Sequence, residues 1–247
     1  PVPAAAPYWS IANRLSYWLD LHGPSLAVDS ACSSSLTAIH MACRTLWSGE
    51  AQVALAGAVN LSLHPLKYVG LSAGRFASTD GLCRSFAEGG DGYVPGEGVA
   101  IVVLKPLAAA LADGDPIRGV IRGSAVAHGG RTNGYTVPSP EAQAAVIRAA
   151  LALAGVPAGR LGFLEAHGTG TALGDPIELD GIVRAAGTRA APLPFGTVKA
   201  AIGHLEAAAG MAGLARVLLQ FRHDTLAPTL MHGRPSPALT AAGALRL

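Results

Sequence analysis

Short apolar runs alternate along the chain with longer segments in which apolar residues recur every three or four positions. The first pattern predicts buried strands and the second predicts amphipathic helices. We predict strands at 25–28, 52–59, 98–105, 117–126, 161–166 and 195–198, and helices at 33–47, 140–155, 175–186 and 203–222. This alternation is typical of a layered α/β fold. Without an internal repeat or a linker, residues 1–247 are predicted to form one domain.

Two glycine-rich stretches, residues 87–98 and 123–134, separate some of these elements. Aromatic and apolar residues such as Tyr93 and Val94 interrupt the first stretch, so we predict ordered loops rather than linkers. Long loops of this kind are more often functional than idle in a compact domain.

Composition narrows the class of protein. Hydrophobic residues make up 50% of the chain and charged residues 14%, which excludes a disordered chain. No run reaches the roughly 18 apolar residues that span a bilayer, and residues 1–6 do not resemble a signal peptide. A net charge of +2 without a basic run argues against nucleic acid. Three scattered cysteines fit neither a disulfide framework nor a zinc site, and favour the reducing cytoplasm.

Cys32 is the first candidate for chemistry. It lies in the segment Asp29-Ser30-Ala31-Cys32-Ser33-Ser34-Ser35, at the predicted start of a helix, where unpaired N–H groups and the helix dipole favour a thiolate. The small neighbours leave room for an acyl group. Cys43 and Cys83 lack such surroundings, and a small buried hydrophobe is the ordinary role of a cysteine. We therefore predict that Cys32 is a nucleophile.

Two of the eight histidines have distinctive neighbours. His167 precedes Gly168-Thr169-Gly170-Thr171, whose glycines permit close backbone approach and whose threonines offer hydroxyl groups. His204 follows Gly203 at a predicted strand-to-helix junction. The other six histidines are interpreted as surface or structural residues. One thiol and two imidazoles suit acyl transfer followed by chemistry on a carbonyl-stabilised carbanion.

The acidic residues Asp175 and Glu178 have a structural interpretation. Asp at the N-cap, Pro176 at the first helical position and Glu at the third make a helix start. No Cys, Asp or Glu lies at zinc-ligand spacing from His167 or His204 without a better explanation, so no metal is implied. No nucleotide-binding motif is present either.

These segments resemble the β-ketoacyl synthase (ketosynthase) domain of a modular polyketide synthase. Residues 9–17, 57–61 and 92–98 also fit that family, and residues 129–138 look like the version found in synthases with a separate (trans) acyltransferase. The resemblance implies a thiolase-like, layered α/β/α/β/α fold. It also implies that the chain is an internal portion of the domain. The segment before it and a C-terminal glycine-rich loop that completes the oxyanion hole would then be missing.

The resemblance assigns roles to individual residues. Cys32 would accept an acyl chain, and a malonyl-type extender would then lose CO₂ and condense with it in a Claisen reaction. His167 and His204 would stabilise the enolate. Lys199 resembles the family's lysine that organises this site, and Glu178 would lie near it.

The resemblance also implies partners. Thr169 and Thr171 would contact the phosphopantetheine arm of an acyl carrier protein, so the enzyme itself needs no cofactor. Full-length family members are homodimers and work with other polyketide synthase modules. Neither a membrane nor nucleic acid is implied, and the location would be cytoplasmic.

Three alternatives remain open at this point. A transacylating, non-elongating ketosynthase often lacks the residue equivalent to His167, and a catalytically silent partner usually lacks the cysteine. A degradative thiolase would use a second cysteine as base. Ala87, Ala127 and Ala201 stand where the family commonly has aspartate or asparagine, which leaves room for a variant activity.

Overall fold

Two small sheets carry the elements that bear the candidate residues. The structure is a computed structural model that describes residues 7–247; residues 1–6, for which we predicted no signal peptide, lie outside the described residues. Strands β1 (Ala54–Asn60) and β2 (Gly98–Leu104) pair antiparallel, with Ala54 opposite Leu104. Strands β3 (Leu164–Glu165), β4 (Leu193–Gly196) and β5 (Leu245–Arg246) form a parallel sheet in that order.

The helices pack around these sheets. Among the described residues they are α1 (Trp9–Trp18), α2 (Ser34–Trp47), α3 (Leu66–Ala73), α4 (Leu107–Ala112), α5 (Pro140–Ala154), α6 (Gly174–Ala186), α7 (Lys199–Ile202), α8 (Ala209–His223) and α9 (Pro237–Ala241). Short 3₁₀ turns at Ala31–Ser33, Ala158–Arg160 and Glu206–Ala208 join some of them. None of the described helices has the length and apolar character that crossing a membrane would require.

The local sequence explains the best-defined boundaries. Helix α5 begins where the Ser139 hydroxyl accepts the N–H of Ala142 and Pro140 fills the first helical position. It ends at Gly155, whose φ of 61° is the left-handed conformation that glycine adopts at low cost. The predicted helix at 140–155 is confirmed, as are the helices at 33–47 and 175–186.

Each sheet has its own apolar core. Strand β2 alternates by two, so that Ala100 and Val102 pack toward Ile39 of α2 and Met211 of α8. The parallel sheet packs Leu193 and Phe195 against Leu179 and Ile182 of α6. Thus the α/β class predicted from the pattern is confirmed, and both cores hold the ends of strands and helices where the candidate residues lie.

Two predicted strands are wrong. Residues 25–28 and 117–126 form no strand among residues 7–247. In the second segment Gly119 lies close to Leu218 of α8, and Gly123 lies against the backbone of α5 near Ala150. The segment therefore makes its contacts with helices instead of joining a sheet, which an apolar run alone does not reveal.

The predicted helix at 203–222 is confirmed only from residue 209 onward, as α8, and its first six predicted residues lie outside that helix. Gly203 and Glu206 both have positive φ, 77° and 45°, which a right-handed helix cannot contain. The chain instead forms the short helix α7, a turn that carries His204, and then α8. Helices α1, α3, α4, α7 and α9 were not predicted from the sequence.

Candidate active site

Cys32 lies in a strained turn directly before α2. Ala31 has a φ of 53°, in the left-handed region that a residue with a Cβ adopts at a cost of about 1–2 kcal/mol. The Asp29 carboxylate accepts the N–H of Ala31 at 3.0 Å, which helps to hold that turn. Strain of this kind is typical of residues that present a reactive group.

The serines around Cys32 have a structural role that the sequence analysis did not predict. The Ser33 hydroxyl donates to the Ser30 carbonyl at 2.8 Å, and the Ser34 hydroxyl donates to the Ala31 carbonyl at 2.7 Å. Ser34 also accepts the N–H of Ser30. These hydrogen bonds fix the turn that carries the thiol.

His167 lies in the loop that follows β3, and a buried carboxylate holds its backbone. The N–H groups of His167 and Gly168 donate to the two oxygens of Glu178 at 2.5 and 2.7 Å. Burial raises the pKa of Glu178 to about 7. The Glu178 carboxylate therefore fixes the backbone of the loop that carries His167.

The Asp175 carboxylate, one helical turn before Glu178, also binds backbone N–H groups. It does not cap α6 as predicted, because the helix begins at Gly174 with Leu173 as the preceding residue. Its buried carboxylate accepts N–H groups from Phe86 at 2.7 Å and from Gly170 at 3.1 Å. The resulting cross-link joins the 84–90 segment to the loop that carries His167.

Thr169 and Thr171 lie in the same loop. The Thr171 hydroxyl accepts the N–H of Gly174 at 3.1 Å, and the two threonine hydroxyls lie 3.3 Å apart. Thr171 therefore has a structural partner at the start of α6. Contact with a phosphopantetheine arm stays a prediction.

His204 lies in the turn between α7 and α8 and is completely buried. Its backbone pairs with a neighbouring segment, donating to the Val94 carbonyl and accepting from the Gly96 N–H, both at 2.8 Å. The ring Nδ1 accepts the N–H of Glu206 at 2.8 Å, so the neutral ring carries its proton on Nε2. Nε2 is buried without a partner among residues 7–247, which leaves it free to donate to a bound molecule.

The structure brings the three predicted reactive groups together. The Cys32 thiol and ring nitrogens of His167 and His204 lie within 4.8 Å of one another. The two imidazole rings are perpendicular, with centroids 5.3 Å apart, and Tyr93 packs against the His204 ring at 4.6 Å. The His167 side chain is exposed whereas His204 is completely buried, so a ligand could reach the cluster from the His167 side.

Lys199 lies nearby as the first residue of α7 and is buried. Burial lowers the pKa of Lys199, and the charges of Glu178 and Glu165 oppose that effect. Burial and the Lys199 charge lower the pKa of His204 to about 3. The pKa of His167, whose side chain is exposed, is lowered in the same direction by partial loss of solvation and by the charges of Lys199 and His204. Both imidazoles are therefore neutral near pH 7 and serve as hydrogen-bond donors rather than cations.

The charge state of Cys32 differs from the sequence-based expectation. Burial raises the pKa of the Cys32 thiol, and the Lys199 charge lowers it only in part. The helix terminus was predicted to favour the thiolate, but desolvation outweighs it. The resting side chain of Cys32 is therefore a thiol.

The same three residues have the ligand types of a zinc site, but their hydrogen bonds argue against one. A metal ligand needs a free lone pair, which Nε2 of His204 lacks while Glu206 donates to Nδ1. The arrangement fits a site that donates hydrogen bonds to a substrate.

The buried ion pair between Glu165 and Arg216, close enough to Lys199 to affect its pKa, was not predicted from the sequence. Glu165 of β3 accepts the N–H of Val198 at 2.7 Å and pairs with Arg216 of α8 at 2.6 Å. The exposed fractions of the two side chains are 7% for Arg216 and 13% for Glu165. The two residues are 51 positions apart in sequence, so no local pattern could have indicated the pair.

Comparison with known proteins agrees with this fold. The model of the β-ketoacyl synthase N-terminal domain matches residues 2–110, and that of the C-terminal domain matches residues 118–232. The chain therefore belongs to the β-ketoacyl synthases. Within that family it is a ketosynthase domain of the modular polyketide synthase type with the thiolase-like fold, as the individual relatives show.

Two curated relatives are polyketide synthases. The chain is 62% identical to polyketide synthase ThaG of Burkholderia thailandensis over 225 residues, which are 90% of this chain and 4% of that protein. It is 54% identical to polyketide synthase PksL of Bacillus subtilis over 224 residues, 90% of this chain and 5% of that protein. The chain thus spans a small part of each relative.

Two solved structures are similar over nearly the whole chain. The oxazolomycin ketosynthase domain OzmH KS7 of Streptomyces albus superposes with a TM-score of 0.95 at 54% identity, covering 98% of this chain and 42% of that one. The module 6 ketosynthase of the Bacillus subtilis bacillaene synthase gives a TM-score of 0.91 at 41% identity, covering 94% and 42%.

Proposed function

We propose that this chain carries the reactive centre of a ketosynthase that extends an acyl chain by decarboxylative Claisen condensation. The observation that carries the proposal is the convergence of a thiol and two neutral imidazoles within 4.8 Å beside a buried lysine. A nucleophile next to two hydrogen-bond donors provides what acyl transfer and enolate stabilisation require.

The first step loads the enzyme. Cys32 sulfur attacks the carbonyl carbon of a carrier-bound thioester, and the carbon–sulfur bond to the phosphopantetheine arm breaks. The proton that Cys32 loses ends on the departing thiol. Lys199 favours this step because its charge lowers the thiol pKa against the effect of burial.

The second step forms the new carbon–carbon bond. A malonyl-type thioester loses CO₂, and the electron pair of the broken bond becomes an enolate. Neutral His204 donates from Nε2 to the enolate oxygen, and His167 supplies a second donor. The enolate carbon then attacks the acyl group on Cys32, whose sulfur leaves as a thiolate and takes a proton from solvent.

Several further assignments belong to this proposal. The substrates arrive on the phosphopantetheine of an acyl carrier protein, with Thr169 and Thr171 beside that arm, and the enzyme needs no metal or cofactor of its own. The domain acts as a homodimer in the cytoplasm beside other synthase modules. The segment 129–138 supports the trans-acyltransferase subtype.

Replacing His204 with glutamine is expected to separate the two steps. Cys32 should still be acylated by an acyl-phosphopantetheine mimic, whereas CO₂ release from a malonyl thioester should fall by about 100- to 1,000-fold, the usual effect of losing one donor to a developing oxyanion. Intact-protein mass follows the first step, and carbon dioxide release follows the second.

His22→Gln is the matched control, since His22 is an exposed surface residue. Equal CO₂ release from His204→Gln and the control would contradict the proposed role of His204. Acylation without any CO₂ release by the unmodified chain would favour the transacylating alternative.

A further inference from the structure

Glu206 adopts an uncommon backbone conformation beside His204. Its φ of 45° lies in the left-handed region, where a residue with a side chain is strained. Gly203, on the other side of the same turn, also has a positive φ, but glycine adopts it at little cost. The strained conformation is the one in which the Glu206 N–H reaches Nδ1 of His204.

The side chain of Glu206 is anchored on two sides. Its Oε2 lies 2.8 Å from the Lys67 ammonium of α3, and each side chain of the pair is 21% exposed. The Tyr93 hydroxyl donates a weaker hydrogen bond to Oε1 at 3.4 Å, and burial raises the pKa of Tyr93, which keeps it a donor. These two contacts fix the Glu206 side chain and so help to keep the residue in its strained backbone conformation.

Lys67 is held in turn by a hydrogen bond to Asn60. Its ammonium donates to Oδ1 of Asn60 at 3.0 Å, and Nδ2 of Asn60 donates to the Gly96 carbonyl at 2.7 Å. Gly96 is also a backbone partner of His204. A continuous series of contacts therefore runs from Glu206 through Lys67 and Asn60 to Gly96, which binds the His204 backbone.

We propose that Glu206 and Lys67 are positioning residues whose ion pair holds the His204 ring with Nδ1 occupied and the Nε2 proton directed at the substrate. Neither side chain is assigned a contact with the reacting atoms. The inference rests on the proposed function only for the use of that proton; the geometry of the ring can be tested without any reaction.

NMR of isotope-labelled histidine side chains tests this proposal directly in the isolated chain. The unmodified protein is expected to show His204 as a neutral Nε2–H tautomer, assigned by its loss in His204→Gln. In Lys67→Met and Glu206→Ala the Nδ1–H form should increase about tenfold relative to the Nε2–H form, the change that loss of one ordinary hydrogen bond produces. The charge-reversed pair Lys67→Glu/Glu206→Lys should restore part of the original ratio.

Lys105→Met is the control, because it removes the ion pairs with Asp113 and Asp115 just beyond the other end of β2. An unchanged tautomer ratio in folded Lys67→Met and Glu206→Ala would overturn the proposal. A shifted ratio in a chain that releases no CO₂ would support it while refuting the proposed function. If both hold, CO₂ release in the two variants should fall about tenfold, whereas Cys32 acylation should not fall, because removing the Glu206 charge takes away one cause that raises the thiol pKa.

Discussion

Replacing Cys32 with alanine is expected to abolish the acyl adduct that forms when the chain is incubated with an acyl-phosphopantetheine mimic. The loss should be complete, because among the described residues Cys32 is the cysteine whose sulfur lies within 4.8 Å of ring nitrogens of both His167 and His204, whereas the sulfur of buried Cys83 is hydrogen-bonded to the backbone of Val94. Intact-protein mass measures the outcome: one added acyl group in the unmodified chain and none in Cys32→Ala.

Cys43→Ala is the matched control. Cys43 is only 5% exposed and packs beside Ile39 in the core under β1, so its removal should leave the adduct in place. An adduct that persists in Cys32→Ala would show that another group is the nucleophile. A folded, unmodified chain that forms no adduct would contradict the proposed loading step.

Replacing Arg216 with methionine is expected to lower the free energy of unfolding more than the loss of any exposed ion pair in the described structure. The change leaves the Glu165 carboxylate buried without its cation, and breaking a buried ion pair in this way typically costs about 3–5 kcal/mol. Burial already raises the pKa of Glu165, so the charged carboxylate is unfavourable in the folded state even with Arg216 present. Removing the Arg216 charge makes it more unfavourable. Urea unfolding measures the free energy of unfolding.

Two comparisons make this prediction specific. Arg184→Met removes exposed ion pairs with Asp180 and Glu141, which typically contribute about 0–1 kcal/mol. The double variant Glu165→Gln/Arg216→Met removes the orphaned charge and should be more stable than Arg216→Met alone. A loss in Arg216→Met no greater than in Arg184→Met would contradict the structural role of the pair.

The sequence indicated the candidate reactive residues well, but it did not indicate the contacts that position them. Cys32, His167 and His204 were each indicated by their small, glycine-rich neighbours, but they are spread over more than half of the chain. Only the resemblance to ketosynthases suggested that they meet, because periodicity along a chain contains no information about contacts between distant segments.

His204 illustrates the limit clearly. The run of small residues after it favours a helix, and we predicted one. The turn exists because Val94 and Gly96, more than a hundred positions earlier, pair with the His204 backbone. Tertiary hydrogen bonds thus outweighed local helix propensity.

The supporting charges show the same limit. Asp175 and Glu178 were recognised as a helix start, and the helix is there, but both carboxylates bind the backbone of neighbouring segments. Their pattern in sequence fits an ordinary helix terminus equally well. Such interactions depend on burial and on partners brought close by the fold, which are properties of the folded chain.

A single-turnover measurement on chain preloaded with an acyl group on Cys32 tests the proposed condensation directly. A malonyl thioester is added, and mass spectrometry follows the acyl-enzyme and the released thioester while CO₂ is measured in parallel. Loss of the acyl mass, CO₂ release and appearance of a β-ketoacyl thioester are expected at one rate and in equal amounts. Release of the acyl group as a free acid, or an acyl-enzyme that persists unchanged, would contradict the proposed condensation.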